Sequence, residues 1–268
     1  MACVARHREA RRQHGARLLI CVLAAIVCAA PGAMAQQSRS TGGPTLSAEE
    51  ILRRADAVRF PQEAFEVGVD IRSSVGGSPT SEGVYKVLSK GNENALVLTL
   101  QPASERGQIL LMKGRDLWVF LPRVSQPVRL SLAQRFVGQV ANGDLARANF
   151  VGDYTPKLLG KVSVGDKSLY VLDLTATDRS VTYQRVRYWV QEKNFWPYQA
   201  QFFSLSGRLL KTCQYEDFRK IGGRVRPTKL VMTDALNRGE VSTLEYSNMK
   251  LRNLPDRIFT KDYLKRLQ

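Results

Sequence analysis

Two hydrophobic periods divide the chain. Near its start, Ser47 to Glu50 reads "SAEE", with Ser47 as a helix N-cap and Glu50 three residues on. Ile51, Leu52, Ala55 and Val58 follow at helical spacing, and Pro61 stops the helix. From Phe65 the period shortens to two. "FEVGVDI", "GVYKVLSK", "ALVLTLQP", "QILLMKG", "DLWVFLP", "LYVLDLTA", "VRYWVQ", "YQAQFFSL", "LVMTDAL" and "VSTLEYS" are short runs rich in β-branched and aromatic residues, and each predicts a strand. Glycines at 91, 114, 165, 207, 222, 223 and 239 punctuate them as tight-turn signals. Strands joined by tight turns are antiparallel, because parallel neighbours need a long crossover. The pattern therefore predicts a meander of about ten strands.

The meander has one gap. In "SLAQRFVGQVANGDLARANF" (131–150) the strand period lapses, and Leu132, Phe136, Val137 and Val140 fall at helical spacing. Asn142-Gly143-Asp144 ends that expected helix and caps a second short one. Pro255 and Asp256 open a last amphipathic segment carrying Ile258, Phe259, Tyr263 and Leu267. A meander of this size must close, split or cover one face. Three helical segments are available as cover. The expected class is α+β, mainly β: a curved antiparallel sheet forming an incomplete barrel, with helices on its concave face.

Several strands carry large apolar groups on both faces. "LWVFL" (117–121) is the plainest case; Tyr188 and Trp189, and Phe202 and Phe203, repeat it. A strand of this kind has no simply wetted side.

Residues 1–35 change the chemistry on offer. Five arginines precede the 13-residue apolar run "LLICVLAAIVCAA", and Ala33-Met34-Ala35 has the small-x-small form of a leader cleavage site. The run is shorter than the roughly 20 residues a spanning helix needs. Residues 1–35 are thus expected to be a signal peptide, 36–46 a flexible Gly/Pro/Ser-rich linker, and 47–268 one folded domain. Cleavage would remove both histidines and three of the four cysteines, leaving Cys213. Neither Cys/His zinc sites nor histidine-based nucleophile triads can be built from that remainder. It holds 35 Lys/Arg against 23 Asp/Glu. Export argues against nucleic acid as the partner of so basic a chain, and favours anionic headgroups or an acidic protein.

A catalytic reading would require paired acids. Asp144 and Asp153 lie in the gap region, but Asp144 is more simply a cap; Glu216 and Asp217 are successive and point apart in a strand. "KIGGRVRP" (220–227) lacks the spacing of any phosphate-binding fingerprint. No cofactor is expected.

"DLWVFLPRVSQPVRLS", "FVGQVANGDLARANFVGDYTPKLLG", "VRYWVQEKNFWPYQAQFFSLSGRLLKT" and "LPDRIFTKDYL" together resemble the outer-membrane lipoprotein-sorting family with its LolA-like domain, over roughly residues 48–268. That resemblance implies an incomplete antiparallel barrel with a helical lid over a hydrophobic cavity. It further implies a non-enzymatic periplasmic carrier of lipid or lipoprotein acyl chains, an RND- or ABC-type inner-membrane exporter and an outer-membrane acceptor as partners, and peripheral membrane contact. A non-catalytic exporter adaptor and a carboxylate-dependent cell-wall hydrolase are the alternatives. Combined with the alternation, the resemblance implies Trp118, Phe120, Leu132, Phe136, Val140, Tyr188, Phe202 and Met232 at the cavity or its lid. It sets Arg123 and Arg129 at the rim, where Pro122 and Pro127 end strand pairing.

Overall fold

A computed structural model describes residues 46–265 except 125, 148 and 238. The expected leader (1–35), nearly all of the expected linker and Leu267 lie outside the described residues. The described residues belong to one compact unit, Pro44–Gln268.

The first helix forms as its sequence dictates. α1 spans Ala48–Arg59, and the Ser47 hydroxyl accepts from the Glu50 N–H at 3.1 Å. The Glu50 carboxylate does not close the capping box; it bonds Arg53 and Arg54. Six strands follow: β1 (Phe65–Val75), β2 (Ser78–Lys90), β3 (Asn94–Gln101), β4 (Ile109–Lys113), β5 (Asp116–Phe120) and β6 (Val128–Leu130). Seven more come after the gap: β9 (Tyr154–Val164), β10 (Lys167–Ala176), β11 (Arg185–Gln191), β12 (Pro197–Phe203), β13 (Leu209–Ile221), β14 (Arg224–Asp234) and β15 (Glu240–Leu251).

These thirteen strands form one antiparallel sheet in the order β6-β5-β4-β3-β2-β1-β15-β14-β13-β12-β11-β10-β9. The molecule is therefore two meanders joined where β1 pairs with β15. The sheet curves but does not close, so β6 and β9 are its edges. All ten expected strands are present. β13 was expected only around Glu216 and Asp217, because "LLKTCQYEDFRKI" places charged residues among its apolar positions; the short β6 and the mostly exposed edge β9 were not expected.

The gap differs from expectation. Leu132 to Val140 is not a helix. Arg135–Val137 (β7) and Val140–Ala141 (β8) make a small separate hairpin, and α2 covers Asn142–Ala146. The apolar spacing served either structure, but Gly138 decided it. Gly138 adopts φ +52 and lies against the hydroxyls of Ser73 and Ser242, where any Cβ would overlap them.

The large core cluster lies on the concave side and draws residues from strands of both meanders, from α1, and from the 131–153 segment. A second, smaller cluster lies on the other face of β3–β5. There Leu254, Phe259 and Leu264 cover Leu96, Ile109, Leu111 and Phe120. Those three belong to a C-terminal strap, a 3-10 turn over Asp256–Phe259 followed by the short helix α3 (Lys261–Lys265). The expectation that all helical cover sits on the concave face is thus corrected: α1 and α2 do, but the C-terminal element covers the convex face. This explains "LWVFL". Leu117 and Val119 enter the main core, while Trp118 and Phe120 pack under the strap.

Candidate functional site

Residues 131–153 form a lid across the concave face, and polar contacts hold it in place at four points. At the hairpin tip, the Gln139 N–H donates to Ser242 Oγ (2.8 Å), which lies 2.7 Å from Ser73 Oγ. At α2, the Asp144 carboxylate accepts from the Ala141 N–H (2.8 Å), the Tyr183 hydroxyl (2.8 Å) and the buried Lys211 ammonium (2.7 Å). Lys211 also donates to the Gln139 carbonyl and sits over the rings of Tyr183 and Phe202. At the lid base, the Asp56 carboxylate accepts from the N–H groups of Phe150 (2.7 Å) and Val151 (2.8 Å). Beside it, Asp153 is clasped by Arg147 and Arg115, and Arg147 reaches the carbonyls of Asn92 and Gly114.

α1 supplies the third anchor by spacing alone. Leu52, Ala55, Asp56 and Arg59 share its buried face. Arg59 pairs with Asp56 at 3.2 Å and stacks over Phe150, 4.3 Å from the ring centre. Burial holds the Asp56 carboxyl above its ordinary range, outweighing the opposing pull of Arg59 and the two N–H donors.

Phe150 fills the middle of the interior. Its ring meets Tyr188 (5.2 Å), Tyr154 (5.5 Å) and Phe202 (6.5 Å). Two voids of about 20 Å³ each lie under the lid, and a more open groove of about 160 Å³ runs beside the hairpin along Gln139, Val140, Tyr183 and Lys211. Each void holds about one water molecule and neither admits an acyl chain. One void is lined by Arg59, Tyr183, Phe202, Cys213, Tyr215 and Met232, among others. Burial pushes the Cys213 thiol up to about 12, so it is protonated at neutral pH.

The structure brings six of the eight expected apolar positions together. Leu132, Val140, Tyr188, Phe202 and Met232 are buried in the concave core, and Phe136 packs half-buried beside them, its ring 5.0 Å from Tyr85. Trp118 and Phe120 are not with them. On β5 the inward positions are Leu117 and Val119, one register away. Arg123 and Arg129 are both exposed. Arg123 occupies the third position of the Leu121–Val124 turn at φ +68, and Arg129 pairs with Asp116.

Sequence reasoning missed the lid anchors. A signal for them exists: Lys211 falls in the inward phase of β13, two residues before Cys213, and Asp56 and Arg59 fall on the apolar face of α1. A charge in an apolar phase must be paired once buried. The weighed carboxylates are all engaged. Asp144 and Asp153 hold the lid, Glu216 pairs with Lys229, and Asp217 with Arg219. Among the described residues no group of three or more His, Cys, Asp or Glu could hold a metal ion. Among the same residues no helix is long and apolar enough to cross a membrane.

Comparison with solved structures decides the family. A crystal structure of a LolA superfamily protein from Nitrosomonas europaea shares 61% identity, superposes with a TM-score of 0.79, and covers 82% of this chain and 100% of its own. The chain belongs to the LolA superfamily. A DUF1329 family protein from Desulfovibrio piger (23% identity, TM-score 0.70, 81% of this chain and 97% of its own) shares the fold. So does a protein domain described as outer-membrane lipoprotein-sorting from Vibrio parahaemolyticus (20%, 0.70, 82% and 98%). A family model described only as an uncharacterized protein matches residues 91–266. Among curated proteins none matches. Superfamily membership fits the lidded, incompletely closed sheet described above.

Proposed function

We propose that this protein is a non-enzymatic periplasmic carrier. It would receive the acyl chains of a lipid or lipoprotein between lid and sheet and pass them towards an outer-membrane acceptor. An inner-membrane exporter of the RND or ABC type is the proposed source of the cargo. The observation that carries this reading is the lid itself: a segment laid over an aromatic and aliphatic face but fixed to it by hydrogen bonds and ion pairs at its tip, middle and base. Buried ion pairs add little net stability and define one geometry. A cover held in this way can leave as a unit.

The mechanism is an exchange of apolar surface. Phe150, Leu132 and Val140 occupy the face in the closed form, and an entering acyl chain replaces them, gaining about 0.8 kcal/mol per buried methylene. No covalent step is needed. Leu132, Phe136, Val140, Tyr188, Phe202 and Met232 are the proposed contacts. Trp118 and Phe120 would support the site from behind the sheet.

One observation favours a second reading. The two voids beneath Phe150 and α2 are each only about 20 Å³, as a structural adaptor of an exporter would have them. Native mass spectrometry of residues 36–268 taken from the periplasm, followed by lipid extraction, separates the two. A stoichiometric amphiphile supports the carrier. A clean apo mass that persists after incubation with membranes and lipoprotein supports the adaptor.

A further inference from the structure

The "KIGGRVRP" stretch has a place in the fold that the carrier reading does not use. It forms the turn between β13 and β14. β13, at 13 residues, outruns β12, at 7, and β14 parts from β15 partway along. The pairing of β13 with β12 ends at Gln214, and that of β14 with β15 begins at Lys229. Between these points, among the described residues, β13 and β14 pair only with each other, through Ile221 opposite Arg224. The result is a two-stranded arm that separates from both β12 and β15. Gly222 (φ +56) and Gly223 (φ +83) make its tip, a two-residue turn that needs positive φ at both positions.

The arm is basic and apolar at once. Arg219, Lys220 and Arg224 are exposed on it; of its two acids, Asp217 pairs with Arg219 at 3.4 Å and Glu216 with Lys229 at 3.0 Å, at the root. Val225 is 41% exposed at the tip. Met249 packs against Gly222, which brings the segment carrying exposed Lys250 and Leu251 up to the arm. At the arm's root Trp196 and Phe218 stack face to face, 4.2 Å apart and half-buried. The arm is also anchored: buried Arg226 donates to the carbonyls of Ala57 (2.8 Å) and Val58 (3.0 Å) at the end of α1.

We propose that this arm is a docking surface for an anionic lipid bilayer. Lys220, Arg224 and Lys250 meet the phosphates, and Val225 enters the headgroup layer. Three features fit this occupant. Exposed cations at the arm's tip, without an ion pair among the described residues, complement a negative surface. An apolar tip gains from the interfacial region, which a free polyanion does not offer. Half-buried aromatic rings at the root suit a boundary between wet and apolar surroundings. The docking is independent of the lid and of what the lid covers.

Cosedimentation of residues 36–268 with phosphatidylcholine vesicles, with and without phosphatidylglycerol, tests it. We expect binding only with the anionic lipid, weakened by salt. Each basic group near the surface contributes about fivefold in affinity, so the Lys220→Gln/Arg224→Gln pair lowers binding on the order of 25-fold. Val225→Asp lowers it without removing a cation. All three positions are exposed, and circular dichroism checks that the variants fold. The control pair Arg106→Gln/Arg208→Gln, both exposed on other loops, leaves binding within about twofold if each charge acts only near its own contact. Equal binding to both vesicle types, or an arm variant that binds as tightly as wild type, overturns the proposal. So does binding to soluble polyglutamate without binding to vesicles, which would assign the arm to an acidic protein.

Discussion

β3, β4 and β5 are covered on both faces, and the two covers are built differently. On the convex face the C-terminal strap lays Leu254, Phe259 and Leu264 directly onto Leu96, Ile109, Leu111 and Phe120. Its polar contacts are peripheral: Lys90 with Asp256 in the open, and Lys261 over Trp118. On the concave face the lid brings apolar side chains too, but its own backbone and charges are held by buried polar partners at four points. Apolar packing is non-directional and grows with area. Buried hydrogen-bonded pairs cost desolvation and return it only in one arrangement. On these grounds we expect the strap to act as a fixed wall and the lid as a cover with a defined closed position.

The largest expected effect tests the wall. Phe259 is 1% exposed, and Phe259→Ala should cost about 3–5 kcal/mol of global stability in urea unfolding. If the strap were the movable cover, that loss would be far smaller, because the wild type would already spend time without the contact.

Next in size is the lid. Lys211→Met removes a hydrogen-bonded charge from Asp144, worth about 1.5–3 kcal/mol. Cys213 lies beneath the lid and reports the local loss. In the wild type its thiol should resist alkylation, with a rate that climbs with pH towards about 12. In Lys211→Met the rate should rise about tenfold for every 1.4 kcal/mol lost from the latch. Phe259→Ala should leave that rate nearly unchanged under native conditions. A Lys211→Met protein whose Cys213 stays as slow as wild type would mean that the lid does not open as a unit.

How much of this contrast could be read in the sequence depended on which face a residue served. Ten strands, the Ser47 cap and the curved sheet followed from period and punctuation, because alternation and turns are local. "LWVFL" showed that both faces of β5 are buried, but not by what. Nothing local says that residues 255–264, rather than a concave helix, cover Trp118 and Phe120. The 132–140 stretch misled because its apolar spacing suits a helix, and the deciding facts were two serines about 65 and 105 residues away against Gly138. The latch residues were visible only as charges in apolar phase, and their partners are distant in sequence: Lys211 with Asp144, Asp56 with Phe150.

A smaller change sharpens the role of the hairpin tip. Gly138→Ala places a Cβ against Ser73 and Ser242 at φ +52. Left-handed backbone alone costs about 1–2 kcal/mol for a residue with a Cβ. We expect faster Cys213 alkylation than wild type, though less than in Lys211→Met. Adding Ser73→Ala to Gly138→Ala should recover part of the loss, since it removes the nearest clash but leaves Ser242 Oγ, Ser73 Cβ and the backbone strain. Full recovery would show that the Ser73 hydroxyl alone sets the tip, and none that Ser242 or the strain dominates.

The smallest expected effect belongs to neither cover, which makes it a useful control. Glu50 lies on the outer side of α1, and hydrogen bonds from Arg53 first, and then Arg54, lower its carboxyl to about 2. Its folded value lies below its unfolded one, so its contribution to stability is present above about 4.5 and fades as pH falls from there towards 2. The group is exposed and screened, so salt should erase most of the effect. Glu50→Gln should slightly flatten the acid limb of the stability profile in that window and leave Cys213 alkylation as slow as in wild type. A rise in that rate would mean that α1 shifts with the lid, and that the Asp56 anchor belongs to the moving part and not to the frame.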